Sequence, residues 1–205
     1  MSKIANRKNY HVGNLESQLI DQAKKMLEEV GPDKLSIRAI AEQLGVSATA
    51  VYHHFANKDE LISHLAAEGF NQLEKVLIQC QINVENQSKL QILSRTYMHF
   101  AFDHPAMYQL MFGSQLAHSE MNDKLFTARK QAYAVVEQCV AEVLGQDIQS
   151  KEVKSAALAA WSFAHGLASL IIHNVFEMSE QISKDAVIEK VLLGFNQLVK
   201  VHMNT

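Results

Sequence analysis

The chain is poor in residues that interrupt helices, with 2 prolines and 8 glycines among its 205 residues. Turn-rich β-sandwiches and barrels need such punctuation at short intervals, and no strong strand signal appears between the few breaks. Cysteine is equally scarce. Cys80 and Cys139 stand in no CxxC or Cys/His spacing, which excludes a disulfide scaffold and fits two small apolar side chains in a reducing compartment. There is no excess of positive charge either: 19 Lys and Arg face 22 Asp and Glu, a formal net charge of -3. A basic protein coating an anionic polymer is thereby excluded. The N-terminal MSKIANRKNY lacks the apolar core of a signal peptide, so a cytoplasmic protein is expected. No long apolar run is unbroken. The stretch 155–176 carries no formal charge outside its histidines, but Ser155, Ser162, His165, Ser169, His173 and Asn174 interrupt it. It is expected to be a fully buried helix, not a membrane span.

What is present is the material of helices. Apolar residues make up 48% and charged residues 20%, an ordinary balance for a folded domain, and Ala, Leu, Gln, Glu, Lys and Met dominate. The charge is unevenly placed. Residues 1–60 hold eight basic and eight acidic side chains, so the whole deficit lies in the remainder. Any surface facing nucleic acid must therefore lie in the first part, where Lys3, Arg7 and Lys8 form a basic tail that meets no acid before Glu16.

Leu15, Leu19, Ala23, Met26, Leu27 and Val30 recur at three-and-four spacing, which predicts a first helix ending at Gly31-Pro32. Ser36 caps a short second helix whose inward face is Ile37, Ile40, Ala41 and Leu44. Gly45 ends it. Ser47 caps a third helix that buries Val51 and Phe55. Only Gly45-Val46-Ser47 separates the two helices, and so short a connection makes them cross steeply, as in a helix-turn-helix. Asn57 and Glu60 form a capping box at the start of a long helix through Leu61, Leu65, Phe70, Leu73, Leu77 and Cys80. Further amphipathic segments are expected at 88–103, 105–117, 122–144, 151–177 and 184–202. The fold class that results is all-α, with a flexible tail (1–13), a three-helix unit that contains the helix-turn-helix (14–57) and a larger helical part (58–205).

If Val51 and Phe55 turn inward, Ala48, Thr49, Tyr52 and His53 face out. A helix shown only to solvent would carry Lys and Glu there. This face is instead small at its start, which suits close approach in a major groove, and aromatic or polar further on, where phosphates are met. Lys58 opens the next helix beside free backbone amides, a seat for a phosphate, and Arg38 starts the second helix. No Arg, Asn or Gln stands on the third helix for a bidentate base contact. Ala48, Ala50 and the Thr49 methyl favour thymine methyl groups, with shape readout and Arg38 supplying the rest.

The run SIRAIAEQLGVSATAVYHHFANKDEL resembles the helix-turn-helix of the TetR/AcrR family of transcriptional regulators, with Ile40, Ala41, Gly45, Val46, Ser47, Val51, Tyr52, His54, Phe55, Lys58 and Leu61 in pattern. The resemblance spans about residues 12–62. It implies that Arg38, Ser47, Ala48, Thr49, Tyr52, His53, His54 and Lys58 approach double-stranded DNA. HPAMYQLMFG and WSFAHG further resemble a subgroup known by a Trp…His-Gly signature in its effector domain.

In the C-terminal part Trp161 and His165 lie four apart on one helical face, as do Met98 and Phe102. Met107 and Met111 fall on the short helix between, and Phe126 and Tyr133 on the next. Such a stripe of methionine and aromatic side chains suits either a plain core or an apolar effector cavity with a few polar groups. Leu167, Ile171, Ile188, Leu192 and Phe195 exceed what one chain's helices obviously cover, and by resemblance would join a partner's copies in a homodimer. Two reading heads would then sit roughly 34–36 Å apart on a near-palindromic operator. His99, His104, His165 and His173 lack the i, i+4 spacing of a helical metal chelate, and no cofactor is expected. GxSxG, P-loop, GxGxxG and HExxH patterns are all missing, so no enzyme is expected.

Overall fold

The computed structural model describes residues 15–82, 84, 86–116, 122–175 and 183–203. The basic tail with Lys3, Arg7 and Lys8 lies outside the described residues. Those described are helical almost throughout, with nine α-helices and two short 3₁₀ turns.

Helix α1 spans Leu15–Val30 and buries Leu19, Ile20, Ala23, Met26 and Leu27 along one stripe. Each large side chain so buried contributes about 1.5–3 kcal/mol. Val30 is exposed, because the chain leaves the helix there for Gly31. Helix α2, Ile37–Leu44, is capped by the Ser36 hydroxyl, which accepts from the Ala39 amide, and buries Ile37, Ile40 and Ala41. Helix α3 covers Ala48–Tyr52, five residues only, with the Ser47 hydroxyl accepting from the Ala50 amide. His53 is its C-cap, so His54 and Phe55 belong to the turn beyond it.

Helix α4, Lys58–Gln79, packs against both parts of the molecule. At its start Asn57 accepts from the Glu60 amide, 2.8 Å, while the Glu60 carboxylate accepts from the Ala56 amide, 2.7 Å. The reciprocal cap thus closes one residue earlier than the usual arrangement. His64 and Glu68 of α4 reach Glu16 and Lys24 of α1, which fastens the first three helices to it.

The remaining helices form a bundle: α5 (Asn86–Asp103), α6 (Pro105–Phe112), α7 (Asp123–Leu144), α8 (Lys151–Ile172) and α9 (Lys184–Met203). Helix α6 stops five residues short of expectation and a 3₁₀ turn, Ser114–Leu116, replaces its end. Helix α8 stops at Ile172, followed by Asn174 at φ 52°, not at 177. The expectation that this segment is a fully buried helix is corrected too. Within the chain it buries Val153, Ala157, Ala164 and Ala168, while Leu158 and Leu170 are exposed. Its small residues sit against α5 and α7, and Phe163 packs on Phe195 of α9. Among the described residues α8 is the one helix apolar and long enough to cross a membrane. Its His165, hydrogen bonded to α5 and α6, and its Lys154, paired with Glu137 of α7, tie it into the bundle.

Candidate nucleic-acid interface and effector site

The interface is built by Gly45. Its backbone adopts φ 68° and ψ 27°, a left-handed conformation that side-chain-bearing residues rarely hold, and the chain reverses there between α2 and α3. Val51, fully buried, and Phe55, 1% exposed, anchor the turn from within, with the Phe55 ring edge-on to His64 at 5.5 Å. The remaining side chains of α3 have one direction left. Ser47, Thr49, Tyr52, His53 and His54 are exposed, Ala48 is half-buried, and Arg38 is exposed on α2. Lys58 is half-buried at the first position of α4. Helix geometry leaves the Lys58 and Asp59 amides without intrahelical acceptors, so a cation and two N–H groups share this edge. The exposed groups are a forked guanidinium, hydroxyls, imidazoles and an ammonium, a set that donates to phosphate oxygens.

A second constellation lies in the bundle. Tyr97 of α5 and Tyr108 of α6 are buried with hydroxyls 3.2 Å apart, and both meet Nδ1 of His165 on α8, at 3.1 and 2.6 Å. Burial pushes both tyrosine hydroxyls well above their ordinary range, so they stay protonated. Burial also holds the His165 imidazole below its ordinary value, which favours the neutral ring. Where a tyrosine hydroxyl donates to Nδ1, the ring proton sits on Nε2. The group is neutral throughout.

Aromatic rings continue outward from it. Trp161 meets Tyr97 at 5.0 Å and Tyr133 at 5.6 Å between centroids. Phe112 meets His165 at 4.5 Å, Tyr108 at 4.8 Å and, across the bundle, Phe70 of α4 at 5.3 Å. Arg129 of α7 lies 5.5 Å from the Phe70 ring centroid and donates to the Met111 carbonyl at 3.4 Å. Gly69 lets α6 come this close. A Cβ there would lie 2.6 Å from the Met111 sulfur and 2.9 Å from that of Met107.

Comparison with known proteins assigns both parts of the chain. Residues 19–65 match the bacterial regulatory proteins of the tetR family, and residues 90–195 match the tetracyclin repressor-like C-terminal domain, more than half of the chain. The chain belongs to the TetR family. Several of the relatives it matches are named HTH-type transcriptional regulators. The chain is 24% identical over 175 residues to the HTH-type transcriptional regulator Rv0681 of Mycobacterium tuberculosis, covering 85% of this chain and 77% of that one. It is 26% identical over 103 residues to Rv1816 of the same organism, and spans 44% of that protein's length. A solved Rhodococcus protein of unknown function superposes with a TM-score of 0.73 at 26% identity, covering 91% of this chain and 95% of its own.

Within this TetR-family fold the sequence-derived residues fare differently. Met98, Phe102, Met107 and Met111 are buried, and Tyr133, Trp161 and His165 are half-buried. Phe126 is 54% exposed and joins none of the ring contacts, because its position on α7 faces away from the bundle. Ile188, offered above as a dimer contact, is fully buried in its own chain and is core. Leu167, Ile171 and Leu192 are half-buried and Phe195 is 40% exposed, packed on Phe163 at 4.1 Å. Of the four histidines weighed for metal, His165 meets tyrosines and His99 meets Asp185 at 3.0 Å. Tyr97, Phe70 and Arg129 carry much of the site yet were not singled out. Their partners are tens of residues away, and no local spacing signals them.

Proposed function

We propose that this regulator is a repressor that binds a near-palindromic operator as a homodimer and is released by a small, largely apolar effector. The observation that carries the DNA half is the face of α3, where Val51 and Phe55 point inward and Thr49, Tyr52, His53 and His54 outward. Arg38, Ser47, Ala48, Thr49, Tyr52, His53, His54 and Lys58 are the contact set. The dimer reading is supported by the exposed apolar residues of α8 and α9, among them Leu158, Leu170, Leu193 and Phe195.

The effector reading is supported by the neutral Tyr97–Tyr108–His165 group and its surrounding rings, with Met98, Phe102, Met107, Met111, Tyr133 and Trp161 nearby on the same four helices. An effector that parts these rings acts on Phe112 and, through it, on Phe70 of α4, the helix fastened to the reading head. It shifts the equilibrium only by its difference in affinity between the two arrangements. Lys58→Ala tests the DNA half. Binding to a palindromic duplex should weaken almost uniformly across sequences, and the salt slope should fall by about one phosphate contact. Unchanged affinity and slope would remove Lys58 from the interface.

A further inference from the structure

Helices α4 and α7 run side by side in the same direction. One cleft between them joins His64–Asn71 positions to the start of α7, and a second groove joins residues 74–82 to residues 131–142. Both C-termini therefore finish at one end of the molecule. Neither helix has a basic residue in its last turn to offset the negative end of its dipole.

The second groove, about 530 Å³, lies at that end, within the size range of roughly 300–1,000 Å³ usual for small-ligand sites. Its floor is aliphatic. Ile78 is 50% and Ile82 64% exposed, and Ile148 is half-buried opposite. Three charged side chains line it: Glu74, Lys89 and Glu142. The Lys89 ammonium is already paired with the Glu142 carboxylate at 2.6 Å, and Glu142 also accepts from Gln138 at 3.1 Å. Glu74 is half-buried, four residues before Ile78 on the same face, and has no hydrogen bond or ion pair among the described residues. A carboxylate without a partner among the described residues thus stands at the head of an aliphatic trough. Neither Trp161 nor His165 takes part in it.

We propose that this groove is a second ligand site, separate from the aromatic cluster, and that it takes an aliphatic amine in its ammonium form. The ammonium sits on Glu74 and the alkyl chain lies along Ile78 and Ile82. Charge complementarity selects the occupant: an alkyl carboxylate of equal length would set its charge against Glu74, while an uncharged alcohol would leave that carboxylate without a counter-charge.

The test is calorimetric titration of the full-length protein with octylammonium, octanoate and octanol, each below its aggregation concentration. Octylammonium should bind once per chain and at least tenfold more tightly than octanoate. Glu74→Gln should bring its affinity down to that of octanol, and Ile78→Ser should weaken all three ligands. His165→Gln should leave the titration unchanged, while circular dichroism confirms that each variant is folded. Equal binding of octanoate and octylammonium, or unaltered binding by the folded Glu74→Gln variant, would overturn the proposal. So would loss of binding in His165→Gln alone, which would assign the amine to the aromatic cluster.

Discussion

Nδ1 of His165 has one lone pair and two tyrosine hydroxyls within reach, 2.6 Å for Tyr108 and 3.1 Å for Tyr97. Removing either hydroxyl therefore leaves the acceptor satisfied by the other. Tyr108→Phe should cost about 1 kcal/mol, the net worth of one neutral hydrogen bond, and Tyr97→Phe about the same. The double variant differs in kind. It strands a buried nitrogen, which adds roughly 1–3 kcal/mol beyond the sum of the singles, for a total of about 3–5 kcal/mol. Urea unfolding of the four proteins at one fixed concentration closes the double-mutant cycle, with fixed concentration removing any contribution from self-association. A double variant that equals the sum of the singles within about 0.5 kcal/mol would show that the hydroxyls do not share one acceptor, and the neutral triad described above would be wrong.

The same histidine gives a pH prediction. Burial holds its folded-state value below the unfolded one, so the unfolded chain binds more protons in between. Its contribution is fully present above the unfolded value and is lost as pH falls toward the depressed folded one; His165→Gln should flatten that part of the stability–pH curve, and an unchanged curve would place the titration elsewhere. Gly45→Ala adds a Cβ that meets no atom within 4 Å, so only the left-handed backbone is penalised, by about 1–2 kcal/mol. That corresponds to a fall of roughly 2–8 °C in melting temperature, and Gly45→Asn should fall less. Leu193 is 61% exposed on α9; Leu193→Glu should sediment as a 23.0 kDa chain and bind operator more weakly, whereas a monomeric wild-type protein would refute the dimer.

The reading head was legible from the sequence because each of its determinants is local. A cap bonds three residues on, a left-handed glycine ends its own helix, and alternation between inward and outward positions follows from helical pitch. Ser36, Gly45, Ser47 and Asn57 accordingly stand where the pattern put them. The short length of α3 was less legible, since His53, its C-cap, keeps the helical backbone at φ -73° and ψ -22°.

Tertiary structure alone decided what the apolar stripes are for. Phe126 and Ile188 share the periodicity of their neighbours, but one ended at the surface and the other in the core. Periodicity defines a face without saying which element covers it. The joining of Tyr97, Tyr108 and His165, the approach of α6 to α4 over Gly69, and the place of Glu74 in its groove all depend on how separate helices pack. Side chains far apart in the chain meet only after the bundle closes, and no spacing along the sequence encodes that meeting.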